Sequence, residues 1–151
     1  MNIGSGSGYP SSSLSNFSPH PFVFDGVECN SMEGLLQSFK FDKEHIQVEV
    51  CKLVGRAAKF RGKKRNKQWK QVQTLWWKGV AYKRDSDEYQ NLLTRAYDAL
   101  GTNTGFIDAL KATNKAELTH SLGSSSEKHT VLTEREFVSQ LYRLRDKLFN
   151  N

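Results

Sequence analysis

Asn30-Ser31-Met32-Glu33-Gly34-Leu35-Leu36-Gln37-Ser38-Phe39-Lys40-Phe41 reads as a helix with its polar residues on one stripe. Glu33, Gln37 and Lys40 stand four and three residues apart, the spacings that bring helical side chains together. Leu35, Leu36, Phe39 and Phe41 crowd the flanks. Such a stripe either faces solvent or lines a pocket. Polar side chains are mostly exposed, so the helix alone favours a solvated face. A pocket would instead offer a carboxylate, an amide and an amine to one small ligand. Asn30 and Ser31 both cap helix N-termini well, so the helix starts there and runs to about Phe41. Glu33 then lies in the first turn, where the helix dipole favours its ionised form unless burial opposes it.

The segment upstream shifts the balance toward a pocket. Leu14-Ser15-Asn16-Phe17-Ser18-Pro19-His20-Pro21-Phe22-Val23-Phe24-Asp25-Gly26-Val27-Glu28 leads directly into the helix. Asp25-Gly26 between two apolar pairs is a two-residue hairpin signal, because Gly tolerates the positive φ of a type I′ turn. The combined pattern LSNFxPxPFxxDGxxxxSxEGxxQxxK, from Leu14 to Lys40, resembles the NADAR (YbiA-like) family. Its members show a Ser-Asn-Phe start, a hairpin, and a helix that opens Ser-x-Glu and carries Gln and Lys.

The resemblance implies an enzyme, a hydrolase acting on N-glycosidic bonds of ribose-containing nucleotides. The leading expectation is removal of ADP-ribose from ADP-ribosylated guanine in DNA, in an antitoxin-like or phage counter-defence role. An ADP-ribosyltransferase toxin would be the matching partner. One alternative is an N-glycosidase of phosphorylated riboflavin-pathway intermediates. Another is a binding module for NAD or ADP-ribose without turnover. Glu33 and Lys40 are the candidate catalytic residues. Glu33 would stabilise positive charge at C1′ or activate water. Lys40 would protonate the leaving base or attack C1′ of an opened ribose to form a Schiff base. Asn16, Phe17, Asp25, Ser31 and Gln37 are candidate substrate contacts, with Gln37 on the ribose hydroxyls. Trp69 joins them, since the family has a tryptophan at a similar place. The chain departs from the family near its end. Leu118-Thr119-His120-Ser121 and then Thr130-Val131-Leu132 replace a Gly-rich loop, which makes His120 a further candidate contact.

The net charge of +6 is unevenly spread. Between Lys52 and Arg84 stand 12 Lys or Arg and no acid, while the rest holds 10 basic and 16 acidic residues. A patch of this kind favours phosphates, with Arg56, Lys63, Lys64 and Arg65 as candidate contacts. No apolar run approaches the ~20 residues of a membrane span. The N-terminus has no signal-peptide pattern, and Cys29 and Cys51 lack metal or disulfide spacing, so a cytoplasmic protein with free thiols is expected. His20, His45, His120 and His129 show no ligand spacing, and neither metal nor cofactor is expected.

The fold expected is α+β, mostly α, one domain of about five helices with a small sheet or hairpin. Residues 1–13 read as a flexible Gly/Ser-rich start and 14–151 as the NADAR-like domain. A second helix is expected from Asp42 or Lys43 to Phe60, kinked or broken at Gly55. A third is expected from Asn66, with Trp69, Val72, Trp76, Gly79 and Val80 on one face and Trp76 in the core. Ser86 to Leu100 is a fourth, and Glu117 to Ser121 a short strand. Thr133-Glu134-Arg135-Glu136 is a capping box opening the last helix, with Phe137, Leu141, Leu144 and Leu148 on its apolar stripe.

Overall fold

In the computed structural model, which describes residues 1–150, the Asp25-Gly26 turn forms as its sequence predicts. Strands β1 (Phe22–Phe24) and β2 (Val27–Cys29) pair antiparallel, Phe22 opposite Cys29, with Asp25 and Gly26 both at positive φ. Helix α1 (Met32–Ser38) follows. Ser31 caps it: its Oγ accepts from the Gly34 N–H at 3.0 Å and donates to the Leu53 carbonyl at 2.9 Å. A Cβ on Gly34 would stand 2.6 Å from the Leu53 oxygen, so only glycine lets the next helical layer approach this closely.

The expected second helix is two, α2 (Glu44–Cys51) and α3 (Gly55–Lys63). Gly55, with φ of +54°, and extended Val54 break the run between them. The expected third helix stops early. Helix α4 (Asn66–Val72) ends at Gln73 in the left-handed conformation. Thr74–Trp77 (β3) and Val80–Lys83 (β4) then form a second hairpin around Lys78-Gly79. β-branched and aromatic residues suit a pleated surface better than a helix, which decides the outcome here. Strand alternation turns Leu75 and Trp77 inward and leaves Trp76 half-buried on the other face. The expectations for the tryptophans are therefore exchanged: Trp69 is fully buried and Trp76 is the more open. Iodide should quench only part of the tryptophan fluorescence, and Trp76→Phe should remove most of the quenchable part. Equal quenching in that variant would contradict this placement.

Helix α5 (Asp87–Leu100) is capped by Ser86, and α6 (Thr104–Ala112) by Asn103, whose Oδ1 accepts from the Phe106 N–H at 3.0 Å. Helix α7 (Glu134–Phe149) opens on the full Thr133–Glu136 capping box. The result is the expected α+β, mostly α class, with seven α-helices, against about five expected, and two two-stranded antiparallel sheets among the described residues. The core lies between α1, α5 and α7. Phe39 meets Trp77 and Tyr89 edge-on at 5.6 and 6.3 Å, and Trp77 stacks on Phe24 at 5.3 Å.

The Gly/Ser-rich start is tied down where a free tail was expected. Ile3 is fully buried, its N–H donates to the Thr119 carbonyl at 2.8 Å, and the Thr119 N–H donates to Met1 at 2.9 Å. The short strand expected over 117–121 is reduced to this one parallel bridge between Asn2 and Thr119. Among the described residues no helix is long and apolar enough to cross a membrane.

Candidate functional site

Glu33 and Gln37 line a cavity of about 410 Å³. The Glu33 N–H donates to the Asn16 carbonyl at 2.9 Å, which docks the Ser15-Asn16-Phe17 segment against the start of α1. Asn16 is held in turn by the Tyr97 hydroxyl, which donates to its Oδ1 at 2.8 Å. Ser15, Asn16 and Phe17 thus form one wall. The facing material comes from far along the chain: Gly4 and Ser5, Lys59 of α3, and the loop from His120 to Leu132.

The Gln37 Nε2 donates to Glu33 Oε2 at 2.7 Å. No hydrogen bond to Glu33 Oε1 forms among the described residues, which leaves that oxygen for a ligand. Burial raises the Glu33 pKa above the ordinary carboxylate value, more than the Gln37 hydrogen bond and the charges of Lys40, Lys59 and His120 lower it. Burial thus opposes the ionised form of Glu33, as the sequence reading allowed.

Gln37 is itself positioned by α3. A Cβ on Gly62 would stand 1.8 Å from Gln37 Oε1. Gly62→Ala should therefore swing Gln37 off Glu33 and cost roughly 1–3 kcal/mol of stability, the range for overpacking a tight contact. Thermal melts and ADP-ribose titration would check it; an unchanged melt would show that Gln37 yields freely.

The structure brings Asn16, Phe17, Glu33, Gln37 and His120 together at the cavity and leaves the other candidates elsewhere. Ser31 is spent on capping. Asp25 accepts from Trp77 Nε1 at 2.8 Å and pairs with Arg95 at 2.9 Å, so it fastens the first hairpin to β3 and α5. Burial alone would raise its pKa, but these partners hold it below the usual value. Trp69 lies in the core, its Nε1 donating to Asn66 Oδ1 at 3.3 Å. Lys40 is buried off the cavity wall, and its Nζ donates to the same Asn66 oxygen at 2.7 Å. Burial, with Lys70 and Lys59 adding to it against the pull of Glu33, lowers the Lys40 pKa to about 8. Lys40 thus acts on Glu33 through its charge, and the neutral amine is within reach at mildly basic pH.

Arg56, Lys63, Lys64 and Arg65 also lie outside the wall. Arg56, Lys63 and Lys64 are exposed on or just after α3. Arg65 and Arg61 cover the Phe41 ring at 5.9 and 4.7 Å, and Arg65 Nε donates to the Lys40 carbonyl at 3.3 Å. Lys59, overlooked in the sequence, is the cation of the basic stretch that reaches the cavity.

Arg84 ends that basic stretch but is fully buried. It makes a bidentate pair with Glu136 at 2.6 and 3.0 Å, and its Nε donates to the Thr130 carbonyl at 2.8 Å. The Tyr89 hydroxyl donates to the Val131 carbonyl at 2.6 Å. Glu136 also accepts from the Thr133 N–H and from Gln90, both at 2.7 Å. Thr130, Val131 and Leu132 line the cavity, so this buried network fixes its wall.

A cavity at the start of α1, closed by an N-terminal Ser-Asn-Phe segment and a late loop, sits in the fold of the E. coli protein YbiA. The solution structure of YbiA superposes with a TM-score of 0.63 at 19% identity, over 98% of this chain and 83% of that one. The resemblance read in the sequence is thus borne out in the fold. By sequence the chain belongs to the bacteriophage protein GP30.3 family, which matches residues 8–146. It is 40% identical, over 93% of both chains, to an uncharacterized 17.1 kDa protein of the Gp30-rIII intergenic region of Enterobacteria phage T4.

Proposed function

We propose that this chain hydrolyses N-ribosyl bonds and that its substrate is ADP-ribose carried on guanine in DNA. The observation that carries the reading is Glu33, a carboxyl of raised pKa with one oxygen uncommitted on the wall of a 410 Å³ cavity. Breaking an N-glycosidic bond builds positive charge at C1′ and the ring oxygen. An ionised Glu33 opposes that charge and takes the proton of the attacking water. The raised pKa suits the second role, because a base works best when its pKa lies near the working pH. Gln37 and Asn16 supply polar contacts for the ribose, and Phe17 an aromatic edge. Hydrolysis of this kind uses water as its co-reactant.

The nucleic-acid part of the reading is supported by charge. Lys59 on the wall and exposed Arg56, Lys63 and Lys64 belong to one short region, so a polyanion entering the cavity would meet them. Hydrolysis of phosphorylated riboflavin-pathway intermediates is the second reading. It is favoured by the single lysine on the wall, which suits a small substrate with few phosphates. Parallel incubations with an oligonucleotide bearing ADP-ribosylguanine and with the phosphorylated intermediates separate the two. Turnover of the oligonucleotide, with binding to plain DNA that weakens steeply with salt, is the expected result. Turnover of the small substrates alone would replace the first reading with the second.

A further inference from the structure

Glu33 shares the cavity wall with the imidazole of His120, supplied by the segment in which the sequence departs from the NADAR pattern it resembles. We infer that His120 is a catalytic residue of this cavity, the general acid that protonates the departing base through Nε2. The assignment rests on the glycosidase reading above.

The ring geometry points to this role. His120 Nδ1 lies 2.7 Å from the Ile3 carbonyl oxygen. A carbonyl only accepts, so Nδ1 keeps its hydrogen in both charge states and Nε2 is the nitrogen that gains and loses a proton. Phe137 meets the ring edge-on at 4.8 Å, and a Cβ on Gly123 would stand 2.7 Å from its Cδ2, so the ring is clamped on two sides. His120 also borders a second, more open depression of about 380 Å³ with Ser121, Glu134 and Arg135. It therefore has the cavity on one side and a route for proton exchange with solvent on the other. Lys40, for which the sequence left the roles of proton donor and Schiff-base nucleophile open, is bonded to Asn66 and stands off the wall.

The charged and titratable groups around His120 come from three elements and its own loop. Glu33 of α1, Lys59 of α3 and His129 of the loop share its wall on the cavity side. Glu134 and Arg135 of α7 face it from the other depression.

In the reaction, the proton on Nε2 passes to the base nitrogen as the C1′–N bond breaks and its electron pair leaves with the base. Water adds its oxygen to C1′ and gives a proton to Glu33. Solvent then reprotonates His120 and takes the proton from Glu33, so one water is split between ribose and base.

The test is the pH profile of kcat/KM for an oligonucleotide bearing ADP-ribosylguanine, in wild type and His120→Asn. The asparagine amide can still donate to the Ile3 carbonyl but has nothing at the Nε2 position. The wild type should give a bell, falling at low pH as Glu33 protonates and at high pH as His120 loses its proton. His120→Asn should be about 100-fold slower or worse, the usual scale for a lost general acid, with KM little changed and the basic limb gone. A wild-type rate with the basic limb intact, in a background where Glu33→Gln is inactive, overturns the assignment alone. A wild type with no turnover overturns the glycosidase reading and this assignment with it. Imidazole nitrogen NMR on the wild type decides independently of how the variant folds. The Nδ1–H tautomer is expected, with a titration that moves in Glu33→Gln. An Nε2–H tautomer, or a titration indifferent to that change, overturns the assignment.

Discussion

Glu33→Gln is expected to abolish release of the base, by about 10²–10⁴-fold or more, while making the fold more heat-stable at neutral pH. Both effects follow from one carboxyl. Glutamine keeps the shape and still accepts from Gln37 Nε2, but it can neither take a proton from water nor oppose charge at C1′. The stability effect has a definite sign. The folded pKa of Glu33 is raised, chiefly by burial, so folding disfavours the ionised form. That penalty is absent below the unfolded carboxyl value near 4.5, grows as pH rises, and is complete above the folded pKa. Melting temperatures of wild type and variant should therefore coincide near pH 4 and diverge toward pH 8, the variant higher. A variant less stable at every pH would mean that the carboxylate is held by favourable contacts and is not strained by burial. Such a trade of stability for reactivity is common where a buried ionisable group does chemistry.

Arg84→Met should have the largest effect on stability. The guanidinium is fully buried and engages Glu136, the Thr130 carbonyl and the Tyr89 ring at 5.0 Å. Removing one partner of a buried pair typically costs ~3–5 kcal/mol, because the other charge is left without compensation. For a chain of this size each kcal/mol lowers the melting temperature by ~2–4 °C, so a fall of about 10 °C is expected. Burial would raise the Glu136 pKa, but Arg84, the Thr133 N–H and Gln90 outweigh it and hold it below the ordinary value. Its contribution is therefore present above pH ~4.5 and lost as pH falls through the lowered folded pKa. The gap between wild type and Arg84→Met should narrow in acid. Adding Glu136→Leu to Arg84→Met should recover much of the loss, since an apolar pair leaves no stranded charge. A double variant no more stable than the single would place the cost in the lost Thr130 contact.

The near side of the site was legible because its logic is local. Ser31 as cap, Glu33 one turn in, Gln37 four residues on and the Asp25-Gly26 turn all follow from spacing within one short segment. On the far side only His120 was legible. The rest comes from a Ser-rich loop far downstream and from the chain's start, and nothing in the composition of Gly4, Ser5 or Gly123 announces a cavity wall. Position alone separates Lys59 from its neighbours. Helix α3 turns Lys59 toward the cavity and leaves Lys63 and Lys64 off its wall, and no charge count distinguishes them. The burial of Arg84 was equally hidden, since only the fold brings Glu136 to it from α7. The second hairpin was hidden by coincidence: Trp69, Val72, Trp76 and Val80 also satisfy helical spacing, and the chain passes from helix to strand through the left-handed turn at Gln73.

The central claim is that the Glu33 cavity breaks an N-ribosyl bond. The most direct measurement is the mass of the products when wild type and Glu33→Gln are each incubated with an oligonucleotide carrying ADP-ribose on guanine. Wild type should yield free ADP-ribose and an unmodified strand, and Glu33→Gln neither. An intact modified strand in both incubations, or equal release by both, would contradict the claim.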